Sequence, residues 1–509
     1  MKKLLLMLVA CMATMTAFAG GEDEGWQKSF TPVADKADLA GVHTAVAADG
    51  SVYASSTYNQ AFQFAGKAVT DPDGLLSSCV VKYDAQGNEQ WAVSLLGKCS
   101  IDAMAVDADG TLYLTGNYTD AALTLTGTSG TKTLSGDALK ANAFVAKVSA
   151  EGVFTEAISL VPTASVPEGY EDWCELGIYP NKIVIDANKV LVSCMFKGDV
   201  AELGWQGSYV DVFMMAYMDN RSAGIFMLDK ADLANATSVA TIQHTGRIVD
   251  QMMEDIQDFP NAIDFVVYEG VPHIAFVGWG NLTLTTPAGS QPFNFEMAGE
   301  GKNEHALVLV NAAAPTQAKV FHTAPNDYSG AIYGLVGATL TDNNCILAGT
   351  FYGNFPLDNT VTKDKNVSFV ASIKMSDCSV NWAKANEVES EAQCMIVTGE
   401  EIHAATADAH YVFRTSDGDL KKAENQGFDD ASCYNDQYCS TIFTNENSVV
   451  VFSPKMNPSG INETTALKNG AAKYYNLNGV ELSAPQKGLN IIKTTTADGK
   501  VSVKKVIIR

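Results

Sequence analysis

The sequence is poor in the residue patterns that metal binding and common hydrolytic chemistry require. Its seven histidines include no His-Glu-x-x-His and no pair four apart, and its ten cysteines include no Cys-x-x-Cys. The usual zinc-ligand spacings are therefore missing. No Gly-x-Ser-x-Gly occurs, so the common nucleophile elbow is excluded. On these grounds the sequence assigns no metal, no cofactor and no catalytic residue. Basic residues are scarce as well: 34 Lys and Arg stand against 58 Asp and Glu, a formal net charge of −24. A surface of that sign repels nucleic-acid phosphates and anionic lipid, which excludes nucleic acid as a partner. Beyond the first twenty residues no apolar run is long enough for a membrane helix, so no transmembrane segment is expected.

The N-terminus is the exception. Lys2 and Lys3 precede the apolar run Leu4–Ala10, and Ala17-Phe18-Ala19 has the small-x-small pattern of a cleavage site. Residues 1–19 read as a secretory signal, which sends the protein to the medium or the cell surface. The stretch "LVAC" ending at Cys11 offers a second reading, a lipoprotein anchored through that cysteine.

The main signal is internal repetition. "AVAADGSVYASS" (45–56) and "AVDADGTLYLTG" (105–116) are near copies, and "SSCVVKYDAQGNEQWAVSL" (77–95) and "ANAFVAKVSAEGVFTEAISL" (141–160) follow them in the same order. Alternating apolar residues around Asp-Gly, Gln-Gly and Glu-Gly turns give two hairpins per unit, strands a to d. The turn "DADG" (107–110) lacks the further oxygens of a calcium loop and reads as type I′. Fading copies continue at 189–196 with 224–230, 273–280 with 305–311, 345–355 with 369–383, and 395–405 with 411–423. "STIFTNENSVVVF" (440–452) opens a seventh unit with no second half. Units of four antiparallel strands in series predict an all-β β-propeller over residues 20–454. Trp91 and Trp382 open strand d of their units, and Trp26 begins "WQKSF" in the same style ahead of the first strand a. An N-terminal strand d is therefore expected to complete the seventh four-stranded blade.

The first two units resemble the "DGxxYxTGxY…FVAKxxxxGxxxW" β-propeller repeats of secreted Bacteroidetes proteins. That resemblance implies a structural scaffold and transfers no catalytic residue. After a polar linker (455–470), residues 471–509 resemble the C-terminal sorting domain of type IX secretion. The matching positions are Tyr475, Leu477, Asn478 and Gly479, then Gly488 and Leu489, then the basic strand with Lys504 and Lys505. The resemblance implies a small C-terminal β domain recognised by the type IX machinery at the outer membrane.

Chain direction puts the b–c and d–a connections on one face, and these are the long ones. Long loops on a rigid scaffold are where binding usually sits. Tyr170, Trp173, Trp205, Tyr209, Trp279 and Phe293 fall in them, an aromatic set suited to sugar rings or peptide. The function read from the sequence is a non-enzymatic binding module for a glycan or protein ligand. The alternative is a propeller-fold hydrolase or lyase acting on glycans. In an oxidising compartment cysteines pair. Strand order sets Cys79 beside Cys99, Cys174 beside Cys194, and Cys345 beside Cys378, while Cys433 and Cys439 close a loop before the seventh blade. Cys394 is left as a thiol in strand a of the sixth.

Overall fold

A computed structural model describes residues 25–30, 39–59, 61–70, 74, 76–164, 175–212, 216–244, 248–250, 262–278, 280–295, 302–303, 306–322, 326–327, 331–341, 343–358, 360–406, 409–424, 427–434, 438–445, 448–454, 472–475, 481–482, 488–495 and 501–508. Asp-Gly and Gly turns divide the chain into antiparallel strand quartets in which sequence neighbours pair. In the first quartet Leu39–Val46, Val52–Tyr58, Ser77–Tyr83 and Glu89–Leu96 lie side by side as strands a to d. Six quartets are built this way. The seventh joins Asp430–Tyr434, Tyr438–Asn445 and Ser448–Pro454 to Gly25–Phe30 from the other end of the chain.

The a strands stand innermost. Leu39–Val46, Cys99–Val106, Gly177–Asp186, Ala262–Tyr268, Ala331–Thr341, Ala392–Thr398 and Asp430–Tyr434 each touch the next, and the last touches the first. The ring closes as a seven-bladed β-propeller with the N-terminal strand completing the final blade. The core follows the same division. Seven apolar clusters each combine residues of two adjacent blades, one cluster for every blade junction. Strand b of blade 1, for instance, buries both faces, with Tyr53 and Ala54 at 0% exposure, because a neighbouring blade lies on each side.

The repeated phrase builds the joints between blades. Trp91 of blade 1 lays its ring over the c–d turn of blade 2 and donates Nε1–H to the Ala150 carbonyl at 2.9 Å. Gly152 in that turn has φ +82°, and a β-carbon there would lie 2.8 Å from the Trp91 ring. Glycine is required twice over, for the left-handed backbone and for the contact. Trp26 repeats the joint from blade 7 to blade 1, over Gly87 with Nε1–H donated to the Ala85 carbonyl at 3.2 Å. Trp382 repeats it from blade 5 to blade 6, over Gly418 and onto the Thr415 carbonyl at 3.2 Å. Lys82 and Lys147, equivalent residues of strand c, donate to the carbonyls of Ala150 and Lys230 in the following blades at 3.0 and 2.9 Å. On the a–b turns, Tyr53 donates to the Gly110 carbonyl at 3.1 Å, and Tyr438 packs on Gly50.

Several expectations are corrected. The 107–110 turn is not type I′, because only Gly110 has a positive φ; Gly110 N–H bonds the Asp107 carbonyl at 2.9 Å, and the glycine follows as a bulge residue. Residues 440–452 are strands b and c of blade 7, not a and b. Its strand a is Asp430–Tyr434. The b–c connection of blade 5, one of those expected to be long, is shortened because its ladder runs on to the pair Asn354 and Thr362. Cys433 and Cys439 form a disulfide, but as directly opposed residues of the blade 7 a–b hairpin rather than across a loop before it. The Cys79–Cys99 and Cys345–Cys378 bonds do not form. Cys79 sits inside strand c opposite Ser56 and Ser94, while Cys99 begins the next blade, so the two are not at adjacent strand ends. Cys345 faces Leu340 and Ile373 across its ladders, and Cys378 lies in the c–d turn. Cys194 and Cys394 are buried thiols, and Cys174 lies outside the described residues.

The C-terminal unit, residues 457–509, contains a separate sheet. Its strand order is Glu481–Leu482, Ala472–Tyr475, Gly488–Thr495 and Val501–Ile508. Tyr475, Gly488, Leu489, Lys504 and Lys505 lie on its strands, whereas Leu477, Asn478 and Gly479 fall outside the described residues.

The joints are expected to dominate stability. Trp91→Ala should cost about 3–5 kcal/mol, the range for removing a large buried aromatic. Gly152→Ala should cost at least ~1–2 kcal/mol for the left-handed backbone. Urea unfolding of both variants measures this. Non-reducing peptide mapping should recover a Cys433–Cys439 link and separate Cys79 from Cys99 and Cys345 from Cys378.

Candidate functional site

The two faces of the ring differ. The a–b and c–d turns of blades 1 and 2 each span a few residues and are taken up by the joints above. The opposite face carries the inserts between strands b and c. The hairpin Ala122–Thr126 with Thr131–Ser135, inserted in blade 2, adds to the outer strand of blade 1. Gly280–Thr286 with Gly289–Phe295, inserted in blade 4, adds likewise to the outer strand of blade 3. These inserts cover sheet edges that would otherwise be open and set the rim of the face.

On this same side, the innermost strands of blades 1, 2 and 3 each break register once, at His43, Asp102 and Asn181. A bulge re-aims the local side chain, and these strands line the axis of the ring. Polar residues hold the bulges in place. Ser55 accepts from His43 N–H at 2.9 Å. Ser100 and Asn117 donate to the Asp102 carboxylate at 2.6 and 2.7 Å. Ser193 donates to Asn181 Oδ1 at 2.9 Å, and Asn181 donates to the Ile263 carbonyl at 2.7 Å. Charged pairs connect the blades. His43 Nδ1 lies 3.4 Å from Asp430 Oδ2, which also accepts from Thr44 N–H at 2.8 Å, across the closure between blades 1 and 7. Lys182 joins Asp264 at 2.5 Å and donates to the Ala338 carbonyl of blade 5 at 3.2 Å.

The electrostatics of this ring are uneven. Burial pushes the Asp102 carboxyl up to about 6, against the lowering effect of Ser100, Asn117 and His43. Burial alone would lower His43, but Asp430 and Asp102 outweigh it and its pKa is raised. Burial raises Asp264 despite the neighbouring Lys182. Two acidic groups in this ring thus have balancing partners in Lys182 and His43, while Asp102 is held by neutral donors. The arrangement can accept hydrogen bonds and exchange a proton near pH 6. No group of three or more His, Cys, Asp or Glu able to hold a metal ion occurs among the described residues.

Of the aromatic set expected on this face, Trp205 and Phe293 are core residues. Trp205 is 4% exposed, stacks on Phe196 at 4.8 Å, and donates to Ser238 at 2.7 Å. It is a core residue of blade 3 because Gly224 has no side chain and a β-carbon there would collide with the indole. Phe293 is buried between Phe276 and Phe295, on the hairpin that edges blade 3. Tyr209 is half-buried in the strand Ser208–Val212. Tyr170, Trp173 and Trp279 lie outside the described residues. The sequence did not single out His43, Asp102, Asn181 or Lys182. Their shared position near the start of strand a was the available signal, but fading repeats hid it.

A second buried cluster lies within blade 6, between its strands b and c and against Phe428. His403 Nδ1 and His410 Nε2 are 3.0 Å apart, and His403 Nε2 contacts Thr398 at 3.1 Å. His410 packs on Phe428. Two imidazoles at that distance share a single proton, since two N–H groups cannot point at each other.

No protein-family model matches the chain, and no curated protein matches it. Among solved structures it is similar to the computationally designed Ika8 protein, at 10% identity and TM-score 0.33, over 81% of this chain and 96% of that one. It is also similar to BamB from Moraxella catarrhalis, at 11% identity and TM-score 0.34, over 84% and 99% of the two chains. At such scores the fold rests on strand order and ring contacts. The protein is a seven-bladed β-propeller with a separate C-terminal β unit.

The histidine pair sets a pH dependence. Burial first, and then the neighbouring His403 and Lys422, lower His410 from its ordinary 6.5 to about 3. The unfolded chain takes up the proton first, so stability is full above pH 6.5 and falls as pH drops toward 3. Glu401, held at about 2 by His403 and Lys421, contributes only below pH 4.5. Between pH 6.5 and 4.5 Glu401 is silent while Asp102, raised to about 6, titrates in wild type and variant alike, so the histidine effect is the difference between the two. Urea midpoints should fall across that window in the wild type and stay flatter in His410→Gln, which keeps an N–H for His403.

Proposed function

We propose that the chain is an exported, non-enzymatic binding module whose ligand sits on the face bearing the long connections. The observation that carries this reading is the division between the faces. On the short-turn face Trp, Tyr and Lys side chains are committed to the following blade. The opposite face has inserts of independent length and an axial ring of polar groups. A scaffold that secures its blades from one side leaves the other side to vary.

Export is supported by three features. The leader has the basic, apolar and small-residue order of a secretory signal. Cys433–Cys439 is a disulfide, which persists in oxidising compartments. The C-terminal sheet carries Tyr475, Gly488, Leu489, Lys504 and Lys505, five of the residues by which 471–509 resembles a type IX sorting domain. No helix among the described residues is long and apolar enough to cross a membrane. The reading places the protein in the medium or on the outer-membrane surface, delivered by the type IX machinery.

An array of glycans and peptides probed with the full chain tests the binding reading. A ligand whose retention is lost when the 119–141 insert is replaced by a short Gly-Ser link supports it. Retention unchanged by that replacement and by Asp102→Asn overturns it. Export is checked separately. Deleting 471–509 should leave a folded propeller in the periplasm, and normal appearance of the truncated chain in the medium would exclude the sorting role.

A further inference from the structure

Of the five large apolar side chains exposed among the described residues, four lie on the long-connection face: Leu76, Leu139, Tyr179 and Val388. Leu139 is the extreme case at 93% exposure. Its exposure is not that of a loose loop. Asp137 Oδ1 accepts from Leu139 N–H at 3.0 Å, and Lys140 pairs with the same carboxylate at 2.8 Å. Asn142, fully buried below, accepts from Asp137 N–H at 3.0 Å and donates to the carbonyls of Asp137 and Tyr118 at 2.9 and 3.1 Å. The turn is fixed by its polar groups, and it holds a leucine in water.

The neighbours extend this into an arc over blades 1 to 3. Ile178 N–H bonds the Ala141 carbonyl at 2.9 Å, tying the Leu139 turn to the start of the innermost strand of blade 3, where Tyr179 is 39% exposed. At the equivalent place one blade earlier, Cys99 N–H bonds the Leu76 carbonyl at 3.2 Å, and Leu76 is 43% exposed. Asp102 follows three residues after Cys99, on the innermost strand between them. Leu76 thus stands at the junction of blades 1 and 2, and Leu139 and Tyr179 at that of blades 2 and 3, with the Asp102 carboxylate on the strand between them.

We infer that this arc docks a polypeptide segment carrying aliphatic and basic side chains, with Leu139 as its preformed anchor. The inference rests on the binding-module reading and names its ligand class. Sugars are recognised by flat aromatic faces, whereas the described aromatics Trp205 and Phe293 are spent in the core and the exposed groups are mainly aliphatic. A second copy of the chain is disfavoured because each copy carries −24. The same charge draws a basic partner. A rigid anchor keeps the ordering cost of binding low.

The test uses the full chain and two synthetic extended peptides, one alternating Arg and Lys with Leu and Val, the other alternating Glu with Leu and Val, beside a glycan array. The basic peptide should bind, the acidic peptide at least tenfold more weakly. Leu139→Ser should weaken the basic peptide at least tenfold, with Leu420→Ser on the opposite face as the unaffected control. Both sites are exposed, so unchanged thermal melting verifies folding. Equal binding of the two peptides, or binding indifferent to Leu139→Ser, overturns the inference. A glycan bound on the 119–141 insert independently of Leu139 also overturns it while leaving the module reading intact. Failure of every probe, peptide and glycan alike, overturns both.

Discussion

Three of the seven junctions depend on one contact, an indole laid over a glycine turn of the following blade. Each blade is a small antiparallel sheet with two apolar faces, and neither face is satisfied by the blade's own strands. The seven junction clusters bury those faces, but apolar burial is non-directional and does not fix the angle at which one blade meets the next. The tryptophan joint adds direction. Its Nε1–H must reach a backbone carbonyl, and its ring must rest where a β-carbon would collide. Trp26 makes this contact from the N-terminal strand, so the closing strand is held by its ladder to Ser448–Pro454 and by the neighbouring blade as well. Where blade 2 meets blade 3, Glu156 occupies the tryptophan's register and accepts from Leu233 N–H at 2.6 Å. The joint persists with different chemistry.

Securing the blades through the short turns has a consequence for the opposite face. The b–c inserts there can change length without disturbing a joint, and two of them have become hairpins that extend the sheets of the preceding blades. The bulges at His43, Asp102 and Asn181 belong to the same side. They loosen the innermost strands locally and present polar groups around the axis, each held by a residue of strand b or by the next blade. A fixed leucine in the turn that leads the blade 2 insert into strand c completes a face in which both polar and apolar features are positioned before any partner arrives.

Legibility in the sequence followed the range of the interactions. The repeat period, the turn glycines and the three strand-opening tryptophans are local signals, and they led to blades, to their number and to the N-terminal closing strand. Strand a of blade 7 escaped because "DASCY" (430–434) is short and lacks both alternation and a turn glycine. Trp205 and Phe293 were misplaced on the surface for a different reason. An aromatic residue in a loop reads the same whether it faces solvent or its own blade, and only the space above Gly224 drew Trp205 inward. Cys433–Cys439 was legible because only five residues separate the two, whereas Cys79–Cys99 and Cys345–Cys378 failed because a disulfide depends on which strand ends are adjacent in space, and Cys79 lies within a strand rather than at its end.

The sequence by itself determined the all-β class, the four-stranded unit, the seven blades and the way the ring closes, because period-two alternation and glycine turns act between near neighbours and repeat down the chain. The tertiary structure decided which hairpin extends which blade, which aromatics are core, which cysteines meet, and where Leu139 and the axial polar groups stand. Those outcomes depend on contacts between segments distant in sequence. Their geometry exists only once adjacent blades have packed and the N-terminal strand has closed the circle.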